Sequence, residues 1–185
     1  MRKTKRDDPE LIRAANGGDM GAFEELVRAH NDAVYAHAYR FFGDVQSAQD
    51  ATQEVWVNVY RALPEFEGRS SVSTWLFRIT RNACLDMLRA GRRVATPIDP
   101  VDIHRMSRSD TAGDAGSKVD LQLAMRALSP EDRDAFNAVA LFGLPYAEAG
   151  AAMGVPAGTV KSRVFRARRA LVALLALDAS GGEAS

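Results

Sequence analysis

The chain is poor in the residues that build covalent or metal-bound structure. Cys84 is the only cysteine among 185 residues, which excludes an internal disulfide and any zinc site made of thiolates. Histidine is scarce as well: His30 and His37 are seven positions apart and could share a helix face, but neither they nor His104 have further ligands at metal spacing. No apolar run approaches the ~20 residues of a membrane span. The opening "MRKTKRDDPE" has charge but not the apolar stretch of a signal peptide, so a soluble, cytoplasmic protein is expected. Net charge is absent too. Twenty-four basic residues balance 24 acidic ones, and a nucleic-acid surface would have to arise from local segregation of charge. Finally, the chain shows no nucleophile–base pair, no phosphate-cradling glycine loop and no metal cluster, so neither an enzyme nor a cofactor is expected.

What is present is helical periodicity, with 46% apolar residues and no convincing strand alternation. Asp8 and Pro9 form a start signal. Asp19 opens a second helix with Phe23, Leu26, Val27, Val34, Ala38 and Phe41 at helical spacing, ended by Gly43-Asp44. "DVQSAQDATQEVWVNVYRAL" predicts a third helix up to Pro64. After the loop "PEFEGRSS", a fourth is expected from about Ser71 to Arg92. Residues 94–117, with two prolines, two glycines and scattered Ser and Asp, read as a flexible linker, too long for the inside of one compact domain. The second half restarts with "KVDLQLAMRAL". In "SPED", Ser129 is the N-cap, Pro130 the first helical residue and Asp132 the third position of a capping box, and that helix should end at Gly143. "PYAEAGAAM" is a short helix, Gly154-Val155-Pro156 a tight turn, and 157–177 a long final helix. The expected architecture is all-α: a helical domain over 1–93, the linker 94–117, a second helical domain over 118–178 and a disordered tail 179–185.

Three helix faces stand out. At about 100° per residue, Val160, Val164, Ala167, Leu171 and Leu174 form the packing stripe of the final helix. Lys161, Ser162, Phe165, Arg166 and Arg169 occupy a separate arc, with an exposed phenyl ring among cations and no acid from 158 to 171. Short helix, turn and basic helix make a helix-turn-helix. Its second helix enters the major groove, where Arg bonds guanine bidentately, Ser serves either partner and Phe touches a thymine methyl. On the fourth helix, Val72, Trp75, Leu76, Ile79, Ala83 and Met87 share an apolar arc, and Arg78, Arg81, Asn82, Arg89 and Arg92 share another. With Phe66 in the loop before it, this face suits a partly single-stranded nucleic acid; Trp75, lying on the apolar arc, reads as core. The third helix differs: Asp50, Gln53 and Glu54 beside Val55, Trp56, Val59 and Tyr60 suit a basic protein surface.

Together, "DATQEVWVNVYRAL", "FEGRSSVSTWLFRITRNACLDMLR" and "GLPYAEAGAAMGVPAGTVKSRVFRARRAL" make the chain similar to the extracytoplasmic-function (group IV) sigma factors of bacterial RNA polymerase, from roughly residue 9 to 177. The resemblance implies a promoter-specificity subunit with two helical domains, sigma-2 and sigma-4. It implies that Asp50, Gln53 and Glu54 dock on the clamp helices of core RNA polymerase. Phe66 and the loop through Ser73 would melt the −10 region and capture a base, and Arg78, Arg81 and Asn82 would belong to the −10 recognition helix. Lys161, Ser162, Phe165 and Arg166, with Arg169 on the same arc, would read the −35 duplex. An anti-sigma factor is implied as a partner by the resemblance alone.

The chain departs from the family pattern in two places. Ala138-Val139-Ala140 stands where a charged pair is common. Ala149, Gly150 and Ala152 replace bulky aliphatics, and a mid-helix Gly150 should cost about 0.5–1 kcal/mol relative to Ala, which predicts a less stable second domain that leans on a partner. The alternative function is a stand-alone helix-turn-helix repressor or activator, which would need neither the acidic face nor the second basic helix and would usually need a dimer interface.

Overall fold

The structure is a computed structural model and describes residues 9–90, 121 and 123–181. Among them are only helices and turns: α1 (Pro9–Asn16), α2 (Met20–Phe42), α3 (Val45–Ala62), a 3₁₀ turn (Leu63–Glu65), α4 (Val72–Arg89), a helical turn at 123–126, α5 (Pro130–Ala140), α6 (Tyr146–Met153) and α7 (Ala157–Gly181). Asp8, Arg92, and the whole of the expected linker 94–117 lie outside the described residues.

The helix boundaries follow from their caps. Asp19 accepts hydrogen bonds from the amides of Gly21 and Ala22 at 2.9 and 3.1 Å, and starts α2. Gly43, at φ 78°, closes α2 with its amide on the Tyr39 carbonyl, a left-handed conformation in which a side chain would be strained. Asp44 then caps α3 through the Ser47 amide at 2.7 Å, and Ser71 caps α4 through the Thr74 amide. Ser129 accepts from the Asp132 amide at 3.2 Å, as expected, but the other half of the capping box is replaced: the Asp132 carboxylate turns to Arg166. Two lengths also differ. Helix α5 stops at Ala140, three residues before Gly143 (φ 68°), and α7 runs to Gly181, into the segment expected to be a disordered tail. The Ala- and Leu-rich run before it has high helix propensity, which outweighs the small and polar residues that follow.

Leu26 and Val34 of α2, Val55 and Val59 of α3, and Leu76 and Phe77 of α4 are fully buried and form the core of the first half. Trp56 fixes α3 to α2 by donating its indole N–H to the Asn31 amide oxygen at 3.0 Å. In the second half, α5 and α6 pack on α7 through Ala135, Ala138, Ala149, Val160 and Val164. The expected stripe of α7 holds, with Ala167 and Leu171 buried against Ala124, Met125 and Leu128.

The two helical units share one core. Phe142, just after α5, sets its ring 5.4 Å from Phe77 and 6.0 Å from His37, both from the first half. Phe77 belonged to neither arc assigned to α4 from the sequence: it lies between them and points at the second half. The small residues at 138 and 149 are placed by packing as well, since Ala138 and Ala149 are fully buried.

Candidate nucleic-acid interface

The helix-turn-helix is closed by two glycines. Gly154 ends α6 at φ 68° with its amide on the Gly150 carbonyl, and the Val155 amide bonds the same carbonyl at 3.0 Å. Gly150 is therefore more than a weak point in a helix. A β-carbon there would lie 2.6 Å from the Val155 carbonyl oxygen and 3.2 Å from the Ala157 amide nitrogen, so the absence of a side chain is what lets the turn fold back on α6. The helix-propensity cost expected at this residue is set against a packing requirement.

Beyond the turn, Lys161, Ser162, Phe165, Arg166 and Arg169 are all exposed on one side of α7, with Phe165 at 61%. The Arg169 guanidinium carbon lies 5.9 Å from the Phe165 ring centre, a cation–π contact that steadies both side chains. Ser162 donates to the Gly158 carbonyl at 3.0 Å. Arg166 is held from α5: its Nε donates to Asp132 Oδ2 at 3.1 Å and its Nη2 to Asp132 Oδ1 at 2.6 Å.

The second basic helix, α4, is divided. Arg78 and Asn82 are exposed. Phe66 is half-buried and packs against Trp75, with ring centres 4.7 Å apart. It lines two open clefts of about 360 and 250 Å³, the first also bounded by Arg13, Asn16 and Ser71, the second by Arg69, Trp75 and Arg78. Trp75 is thus both core and cleft wall. Ser73 and Arg81 do not join that exposed set. Ser73 is 8% exposed. Arg81 donates its Nε to Asp134 of α5 at 2.8 Å, leaving its side chain 29% exposed and that of Asp134 only 10%. For Arg81 the reason is the docking of the second half: this edge of the basic arc of α4 runs beneath α5. Glu148 of α6 completes the contact by accepting from the hydroxyls of Ser71 and Thr74, while Arg40 donates to Asn137 at 2.9 Å and Arg133 to the Arg40 carbonyl at 3.0 Å.

On α3, Gln53 and Glu54 are exposed and Asp50 half-exposed, accepting from Gln46 at 3.1 Å. Val57 and Tyr60 continue the same face, 43% and 54% exposed. The stripe is therefore acidic at one end and apolar at the other, and Val57 belongs to it.

Comparison with known proteins matches the Sigma-70 region 2 family over residues 26–94 and Sigma-70, region 4 over 118–171. The chain is 39% identical over 166 residues to the ECF RNA polymerase sigma factor SigE of Mycolicibacterium smegmatis, across 87% of this chain and 64% of that protein. It thus spans less than two thirds of that relative. It is 36% identical over 172 residues to SigM of Mycobacterium tuberculosis, across 92% and 86% of the two chains. The chain belongs to the extracytoplasmic-function group of the sigma-70 family. Among solved structures, the sigma factor RpoE in complex with the anti-sigma factor NepR from Bartonella quintana superposes with a TM-score of 0.66 at 26% identity, covering 84% of this chain and 98% of that one.

The residues of this sigma factor that sequence reasoning missed are those of the docked contact, Arg40, Phe77, Asp134, Asn137, Phe142 and Glu148, together with the hold of Asp132 on Arg166 within the second half. Periodicity carries no signal for them, because each is placed by a partner on the other helical unit or on another helix. His37 is the least expected. It is fully buried among Phe41, Phe77 and Phe142, and neither ring nitrogen has a hydrogen-bond partner among the described residues. Burial lowers its pKa from 6.5 to about 4; Asp134 opposes the shift, and Arg40, Arg81 and Arg133 reinforce it. Cys84 is buried in the α2–α3–α4 core, and burial pushes its thiol far above its ordinary range. That keeps it protonated and poorly reactive. No helix among the described residues is long and apolar enough to cross a membrane.

Proposed function

We propose that this sigma factor binds core RNA polymerase through the stripe of Asp50, Gln53, Glu54, Val57 and Tyr60, and chooses promoters through two DNA-reading helices. Lys161, Ser162, Phe165, Arg166 and Arg169 read the −35 duplex from the major groove. Phe66, Arg78 and Asn82 engage the opened −10 region, joined by Ser73 and Arg81 once the α5–α6 unit has moved away from α4. The chain supplies docking, sequence choice and strand opening, and the polymerase supplies the chemistry; the protein acts in the cytoplasm with no cofactor. The division into 1–93, 94–117, 118–178 and 179–185 is retained, with helix α7 entering the last segment. An anti-sigma factor is assigned as regulatory partner, because the RpoE structure that this chain resembles is a complex with one.

The observation that carries the reading is the exposed arc of α7: three cations and a phenyl ring on the second helix of a helix-turn-helix, with no acidic residue in the helix itself from 158 to 171. The test is transcription from a fragmented genomic template by core polymerase, with and without the protein. New, discrete start sites preceded by a shared pair of elements are expected. Sequence-specific binding by the protein alone, with no new starts, would instead identify a stand-alone regulator.

A further inference from the structure

Arg166 has two edges that can make paired hydrogen bonds. The side edge, Nε with one Nη2 hydrogen, is taken up by the two oxygens of Asp132. The end edge, Nη1 with the second Nη2 hydrogen, has no partner among the described residues. It belongs to a side chain that remains 59% exposed. Asp132 itself is 13% exposed, and its amide is bound by Ser129 at the start of α5. It is an anchored carboxylate holding the flexible side chain of a neighbouring helix. A free arginine must freeze several torsions to meet a base, whereas a guanidinium already clamped along one edge loses less freedom when it binds. A clamp on the side edge also restricts what the arginine can bind. The end edge is a flat pair of donors suited to guanine O6 and N7. A phosphate, by contrast, would be repelled by the nearby carboxylate.

We propose that Asp132 is a positioning residue for promoter selection: it aims the end edge of Arg166 at a guanine in the upstream element and disfavours use of the same arginine on the backbone. The proposal rests on the reading that the α7 arc meets the −35 duplex. Arg169, steadied on Phe165, has no carboxylate partner among the described residues, and so remains the natural backbone contact beside it.

The test uses the full chain assembled with core RNA polymerase and a duplex library randomised across the upstream element. The wild-type complex should enrich guanine at one position. Arg166→Ala should reduce that enrichment tenfold or more, on the order of one bidentate base contact. Asp132→Asn, which keeps the shape and removes the charge, should reduce it about 3- to 10-fold at that position only, as expected for lost preorganisation. Asp132→Glu should restore part of it, and Asp132→Asn combined with Arg166→Ala should go no lower than Arg166→Ala alone. Unchanged guanine enrichment in Asp132→Asn, with loss in Arg166→Ala, would overturn the proposal while leaving the −35 reading intact. Tighter binding to every sequence would show that Asp132 merely competes with phosphate. A uniform loss at all positions together with a lower melting temperature would show a purely structural residue; both results overturn the proposal. Full enrichment in Arg166→Ala would remove the −35 reading and the proposal with it.

Discussion

A methyl group at Gly150 would meet the Val155 carbonyl oxygen at 2.6 Å, and this contact reverses a rule of thumb. Helix propensity alone favours alanine over glycine at such a position by about 1 kcal/mol. Here the backbone would have to shift to admit the methyl, and overpacking costs about 1–3 kcal/mol. Gly150→Ala is therefore expected to destabilise the second half, with a lower denaturant midpoint; a higher midpoint would show that the turn can relax. His37 makes a second prediction at this scale. Its neutral form is held by burial down to about pH 4. Above pH 6.5 neither the folded nor the unfolded chain is protonated there, so the full stability is present. Below 6.5 the unfolded chain takes up a proton that the folded one refuses, and each unit costs up to about 1.4 kcal/mol until the folded pKa is reached. From about pH 7 to about pH 5, urea unfolding should lose about 2 kcal/mol from this residue. His37→Phe fits the aromatic cluster and removes two unpartnered nitrogens, so it should raise stability and flatten that part of the pH profile. An unchanged slope would place the titration elsewhere.

At the scale of the element, caps and stripes behave as local rules say. The aspartates and serines at 19, 44, 71 and 129 were readable as helix starts, because a cap depends on residues two or three positions away. The apolar stripe of α7 was readable for the same kind of reason. The α3 stripe was only partly readable: Asp50, Gln53 and Glu54 stood out as a polar, acidic cluster, while Val57 was indistinguishable from a core valine until its exposure was seen. This element makes a clear prediction. Glu54→Lys replaces an exposed carboxylate, so the fold should be unaffected. Its affinity for core polymerase should fall about tenfold, on the order of 1–2 kcal/mol for losing one charge pair and gaining a repulsion. Competition with another sigma factor for limiting core enzyme would measure it, and equal competition by the variant would remove α3 from the docking surface.

The whole molecule adds what neither residues nor helices contain. Docking of α5 and α6 on α4 joins Arg81 to Asp134 and Glu148 to Ser71 and Thr74, so part of the face proposed to engage the −10 region is covered by the unit that carries the proposed −35 face. Asp134→Asn should loosen this contact by about 1–3 kcal/mol, since it leaves Arg81 half-buried without its counter-charge. The free chain should then expand in small-angle scattering, and Arg81 should reach DNA more readily, with faster open-complex formation by the assembled polymerase. An unchanged radius of gyration would show that the aromatic contacts of Phe77, His37 and Phe142 suffice to hold the halves together.

The division between the two sources of information follows from range. By itself the sequence determined the all-α class, the helix starts, the order of two helical units and the three candidate faces, because each depends on spacing along one helix or on a short motif. Only the tertiary structure decided that Phe77 and Phe142 share a core, that Gly150 is required by Val155, that Ser73 is buried and Arg81 lies against the second unit, and that Asp132 holds Arg166. Apart from Gly150 and Val155, which a tight turn brings together, these pairings join residues far apart in the chain. Each is set by shape and charge complementarity between helices, which no periodicity along a single helix records.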